Sequence, residues 1–184
     1  MPDGSKSVEA TRRIAAPAGP LFAILARPQR HMEFDGSGML RGALVDRPIS
    51  GVGETFTMKM HRLGRDYLMI NYVVEFETDR RISWQPAPGD LETAGGDSSR
   101  VGVPSGYRWG YVLTPESDRV TLVTEVFDCG PAENDWILQR EDGSWINGAN
   151  SVHDSMTQTL KRLETVVLRG GASENGSVPS SMKW

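Results

Sequence analysis

Between residues 68 and 77 the chain alternates with a period of two. Leu68, Ile70, Tyr72, Val74 and Phe76 share one parity, and Met69, Asn71, Val73, Glu75 and Glu77 the other. That spacing predicts an extended strand, because successive side chains of a strand leave on opposite faces. Phe56, Met58 and Met60 alternate against Thr55, Thr57 and Lys59, and Ile82 and Trp84 do so before Pro86. Tyr107, Trp109, Tyr111 and Leu113 repeat the pattern; a weaker version covers 40–46. Residues 120–127 are apolar on both parities, which predicts a strand without announcing its inward face. The first strand, 8–14, carries Val8, Ala10 and Ile14 on one side, with Arg12 as the single conflict.

Helical spacing occurs in two places. Pro17 and Pro20 fall where a first helical turn accepts them, and Leu21, Phe22, Ile24 and Leu25 predict a short helix closed before Pro28, followed by a second short helical turn through 30–34. Near the other end Trp145, Ala149, Val152, Met156, Leu160, Leu163 and Val167 recur at steps of three and four, a long amphipathic helix stopped by Gly170-Gly171. Residues 87–105 form a long aperiodic loop, and Trp136, Ile137 and Leu138 a short helix or irregular excursion. Strand, two short helices, antiparallel strands and one long helix leave few compact solutions. The sheet must curve around the last helix, and the space between them is where a ligand would lie.

Composition narrows the function classes. A chain of 184 residues, 38% hydrophobic, makes one domain, expected over 8–169, with flexible tails at 1–7 and 170–184. The net charge of −4 and the lack of a basic run argue against nucleic acid. The lone Cys129 provides neither an internal disulfide nor a thiolate metal site, in keeping with a cytoplasmic setting, and no apolar run is long enough for stable membrane insertion.

The run Ile14-Ala15-Ala16-Pro17, then Leu21-Phe22-Ala23-Ile24-Leu25 and Pro28, resembles the opening of the START-like, or SRPBCC, superfamily, which includes Bet v 1-like and polyketide cyclase/dehydrase-like proteins. The likeness continues through Gly51-Val52-Gly53-Glu54, Arg80-Arg81-Ile82-Ser83-Trp84, Val120-Thr121-Leu122-Val123-Thr124-Glu125 and the helix from Met156 to Leu163. Arg27, where the family often carries Asp, and an insertion over 131–144 depart from it. The resemblance implies an α+β helix-grip fold: a seven-stranded curved antiparallel sheet wrapped around a long C-terminal helix, with two short helices after the first strand. It also implies a cavity for apolar molecules and no shared catalytic residues. The sequence itself carries no Gly-rich phosphate loop, nucleophile elbow or acidic metal cluster, so no cofactor or metal is expected.

On that architecture the expected cavity wall is Met58, Met60, Ile70, Tyr72, Trp84, Trp109, Tyr111, Val152 and Met156, rings and thioethers suited to a flat hydrophobic ligand. The plainer reading of these residues is ordinary core. Asp35 and Ser37, between Gly36 and Gly38, could present a carboxylate at the mouth, although such residues more often serve a turn. His153, at the edge of the helix stripe, is the candidate general acid or base with Asp35; a flanking histidine is more often inert. His31, His61 and His153 lack zinc-motif spacing, and Glu54, Glu75 and Glu125 are strand carboxylates. Glu54 shares parity with Phe56 and Met58 and becomes an acid/base candidate only if it points inward, whereas a place at the strand's start leaves it in solvent. The leading expectation is a protein, monomer or dimer, that binds a lipid, polyketide or aromatic compound. A cyclase/dehydratase-type enzyme using the same cavity and a regulatory interaction module are the alternatives.

Overall fold

The computed structural model describes residues 7–104, 106–128, 137–139, 145–147 and 149–174. Strand β1 (Ser7–Ile14) leads into helix α1 (Ala18–Leu25) and a 3-10 turn over Pro28–Glu33. Six strands follow: β2 (Leu40–Ala43), β3 (Thr55–Arg62), β4 (Arg65–Glu77), β5 (Arg81–Pro88), β6 (Arg108–Ser117) and β7 (Val120–Asp128). A small hairpin, β8 (Ile137–Gln139) and β9 (Trp145–Asn147), precedes the long helix α2 (Ala149–Glu174). β1 to β7 form one curled antiparallel sheet in the order β1-β7-β6-β5-β4-β3-β2, so the first strand closes beside the last. Among the described residues no helix is long and apolar enough to cross a membrane.

The apolar stripe of α2 is real and faces the sheet. Met156, Leu160, Leu163 and Val167 are buried, and the helix packs chiefly on β1. Arg12, the conflict in β1, is answered from that helix: its Nη2 lies 2.5 Å from Glu164 Oε2 and its Nε donates to the same oxygen at 2.7 Å. An inward-parity charge is tolerable there because its partner arrives with α2.

Four expectations are corrected. Trp145 belongs to β9, paired with Gln139, so α2 starts at Ala149, and Ile137 and Leu138 are strand residues. At the other end α2 runs through Gly170 and Gly171 to Glu174. Glycine ends a helix by turning left-handed, and neither residue has a positive φ. β5 continues past Pro86 to Pro88, because beyond Trp84 it pairs only with β4 and is an edge on its other side, where a missing N–H is harmless. The expected tails at 1–6 and 175–184, Cys129, and the insertion at 131–144 apart from 137–139 lie outside the described residues.

Candidate functional site

Antiparallel register puts a row of inward side chains across the middle of the sheet. Ala10 opposes Glu125, Glu125 opposes Tyr111, and Tyr111 opposes Ile82. In the next row Val8 opposes Phe127, Phe127 opposes Trp109, and Trp109 opposes Trp84. Ring contacts knit these rows together. Trp109 stacks on Phe127 at 4.2 Å; Trp84 meets Phe56 edge-on at 5.4 Å and lies 6.2 Å from Tyr111.

His31 enters this aromatic layer from the 3-10 turn. Its ring is buried and stacks on Trp84 at 5.5 Å. Nε2 lies 2.7 Å from the carbonyl of Leu25, the last residue of α1. A carbonyl only accepts, so Nε2 carries the hydrogen and caps an otherwise orphaned helix end. Burial pushes His31 down to about 4, against the smaller opposing effects of that hydrogen bond and of Asp35, so the ring is neutral at physiological pH.

Glu125 is the chemically unusual member of the site. It is 5% exposed, and its Oε2 is buried without a hydrogen-bond partner. Desolvation pushes its carboxyl up to about 8; the charge of Asp35 acts in the same direction, and a hydrogen bond with Tyr111 opposes them. Tyr111, equally buried, is held well above the usual phenol range by burial and then by the Glu125 charge. At neutral pH the pair is therefore a protonated acid beside a protonated phenol.

The turn after the 3-10 segment approaches this pair from α2. Asp35 Oδ1 accepts from the Ser37 N–H at 2.9 Å and the Ser37 hydroxyl at 2.7 Å, while Oδ2 accepts from the Leu40 N–H at 3.0 Å. Arg162 donates to the Asp35 carbonyl, and the Gly36 N–H donates to Thr159 Oγ1 at 3.0 Å. Gly36 is pressed so closely on the helix that a Cβ would stand 2.0 Å from the Ser155 carbonyl oxygen. Asp35 and Ser37 thus perform the turn chemistry their spacing favours, and Asp35 adds a negative field to the interior.

Of the expected wall, Trp84, Tyr111, Met58 and Met156 are buried on the sheet side facing α2, and Met60, Trp109 and Val152 pack against the same core half-buried. Ile70 and Tyr72 are on the other face. Val73 opposes the inward Trp84, so its neighbour Tyr72, and Ile70 with it, point away. On that face Tyr72 meets the loop after β5, where its hydroxyl donates to the Gly102 carbonyl at 2.7 Å. His153 is exposed on α2, and His61 pairs with Asp66 at 2.6 Å on an exposed hairpin, so the imidazoles do not converge. No group of three metal-ligating side chains occurs among the described residues. Glu54 bonds Ser50 at its strand's start, and Glu75 faces outward to Ser83 and Arg108. Two open surface clefts, about 460 Å³ near Pro17 and Asp79 and about 570 Å³ near Lys59 and Tyr67, lie apart from the buried rings, and of the expected wall only Met60 lines one of them, the second.

A curled seven-stranded antiparallel sheet gripping one C-terminal helix is the helix-grip fold of the START-like superfamily, the fold of Bet v 1-like proteins. The chain is similar to the uncharacterized protein Rv0088 of Mycobacterium tuberculosis, 35% identical over 124 residues that cover 67% of this chain and 46% of that protein. It thus spans about half the length of the curated relatives it matches. Among solved structures, a protein of Arthrobacter aurescens superposes with a TM-score of 0.63 at 12% identity, over 92% of this chain and 90% of that one. Ginseng major latex-like protein 151 of Panax ginseng gives 0.58 at 13% identity, over 88% and 97%. Ms6760 of Mycobacterium smegmatis gives 0.60 at 16%, over 91% and 94%. At these identities the likeness establishes the fold. No profile of a known protein family matches the chain.

Proposed function

We propose that this protein binds a hydrophobic small molecule, a lipid, polyketide or aromatic compound, between the sheet and α2, against Trp84, Trp109, Tyr111, Met58 and Met156. The observation that carries this reading is the buried Glu125 carboxyl with an unpartnered oxygen, set in an aromatic interior. A folded domain does not keep an orphaned acid in its core for stability, since burying one without a partner is costly. A ligand that supplies the missing partner accounts for it. The helix-grip fold supports the same location, because ligands of concave sheets lie in the concavity. The test is native mass spectrometry of the purified protein, followed by denaturing extraction. A stoichiometric apolar adduct, lost in Trp109→Ala, is the expected result; an unliganded mass that stays unliganded after incubation with lipid and aromatic mixtures would overturn the reading.

One observation favours a second reading, an enzyme of the cyclase/dehydratase kind. Burial pushes the Glu125 carboxyl up to about 8, so it retains a proton at neutral pH, as a general acid requires. His153 is exposed, and both carboxylate oxygens of Asp35 serve the turn, so the proton donor in that reading is Glu125. Glu125→Gln would then abolish turnover while leaving substrate binding intact.

A further inference from the structure

Glu125 also constrains what kind of ligand could be accepted, and this step rests on the binding reading above. Oε2 of Glu125 is buried without a hydrogen-bond partner. A carboxyl desolvated in this way holds its proton, and with that proton on Oε2 the O–H is a buried donor without an acceptor. The charges around it come from three elements. Asp35, on the turn that abuts α2, is negative and acts on both Glu125 and Tyr111. Arg12, two residues from Ala10 on β1, is tied to Glu164 of α2, and Arg162 of α2 is tied to the Asp35 carbonyl. His31, the nearby imidazole of the 3-10 turn, is neutral with its hydrogen on the Leu25 carbonyl. The interior therefore offers a hydrogen-bond donor, flat rings and a negative field, with both neighbouring guanidinium groups engaged elsewhere.

We infer that the buried end of the ligand is an uncharged acceptor oxygen on an aromatic or polyene skeleton, a ketone or quinone carbonyl received by the Glu125 O–H, and that carboxylate and phosphate headgroups are rejected there. A carbonyl satisfies the orphaned donor without bringing charge into a dry interior. A carboxylate would have to be desolvated facing Asp35 with no cation to meet it.

Three probes on one skeleton test this: 2-acetylnaphthalene, 2-naphthoate and naphthalene, titrated by calorimetry into the full chain and into Glu125→Gln and Glu125→Leu. The expected order is ketone over hydrocarbon over carboxylate, with the ketone about tenfold tighter than naphthalene, the size of one good buried hydrogen bond. Gln keeps an N–H donor and should hold the ketone preference, whereas Leu should erase it, so that ketone and naphthalene bind alike. Naphthalene and ketone binding equally well, naphthoate binding best, or a ketone preference that survives Glu125→Leu would overturn the inference while the binding reading stands. Failure of all three probes to bind would count against both.

Discussion

Replacing Glu125 with Gln should make the protein progressively more stable than its parent as pH rises, by an amount that follows from burial. In the folded chain the carboxyl is lifted from 4.5 to about 8. Folding therefore favours the protonated form, and that contribution is fully present below 4.5 and lost as pH climbs toward 8. His31 works in the opposite sense. Its pKa is depressed from 6.5 to about 4, so its contribution is present above 6.5 and lost as pH falls through 4. Each slope is about 1.4 kcal/mol per pH unit. The two cancel between 4.5 and 6.5, and above 6.5 the Glu125 slope stands alone, costing about 2 kcal/mol by pH 8. Gln cannot ionise, so the stability difference between variant and parent should widen by about 4 kcal/mol between roughly pH 4.5 and 8. The exposed ion pairs at Asp46 and Glu116 are common to both proteins and drop out of the difference. Urea unfolding followed by tryptophan fluorescence across that range measures it. Stability curves that run parallel for the two proteins would refute a buried, proton-retaining Glu125.

Other perturbations test the geometry around the site. Gly36→Ala would drive a methyl into the Ser155 carbonyl and the Thr159 N–H, contacts of 2.0 and 2.6 Å, and should cost about 3 kcal/mol by overpacking, read as a lowered urea midpoint. Tyr72→Phe removes the hydroxyl that holds Gly102, so amide exchange over 89–104 should accelerate while binding of any interior ligand is unchanged. A loss of ligand affinity in that variant would contradict the outward placement of Tyr72.

The fold was largely legible because its strands alternate and its last helix has a stripe, and both patterns record which face is buried. Where they misled, a second layer had covered the other face. Leu68, Ile70 and Tyr72 read as an inward row, yet Val73 is the residue opposite Trp84, and the loop beyond Pro88 packs over the outward side through Gly102. Alternation reports that a face is apolar; it does not say which of two coverings lies on it. The same limit applies at Arg12, whose inward parity made sense only once Glu164 was placed against it by α2. A helix-terminating role for Gly170-Gly171 failed for a different reason, since glycine permits a left-handed residue without requiring one.

Of the candidate site, the rings were legible as interior and the acid was not. Trp84, Tyr111, Met58 and Met156 were recognisable as interior from residue type and parity, and they are buried together. Glu125 was not, because β7 is apolar on both parities and nothing local separates Val123, Glu125 and Phe127 from Leu122, Thr124 and Val126. The deciding information is long-range. Glu125 is inward because it opposes Ala10 of β1, far away in the sequence, on one side and Tyr111 across the β6–β7 hairpin on the other. His31 was hidden likewise: only the carbonyl at the end of α1 and the stack on Trp84 give its ring a reason to be buried. A buried acid is a costly residue to maintain in a core that Leu or Gln would fill more cheaply. On the proposed binding reading, a ligand that answers the open oxygen accounts for keeping the acid there.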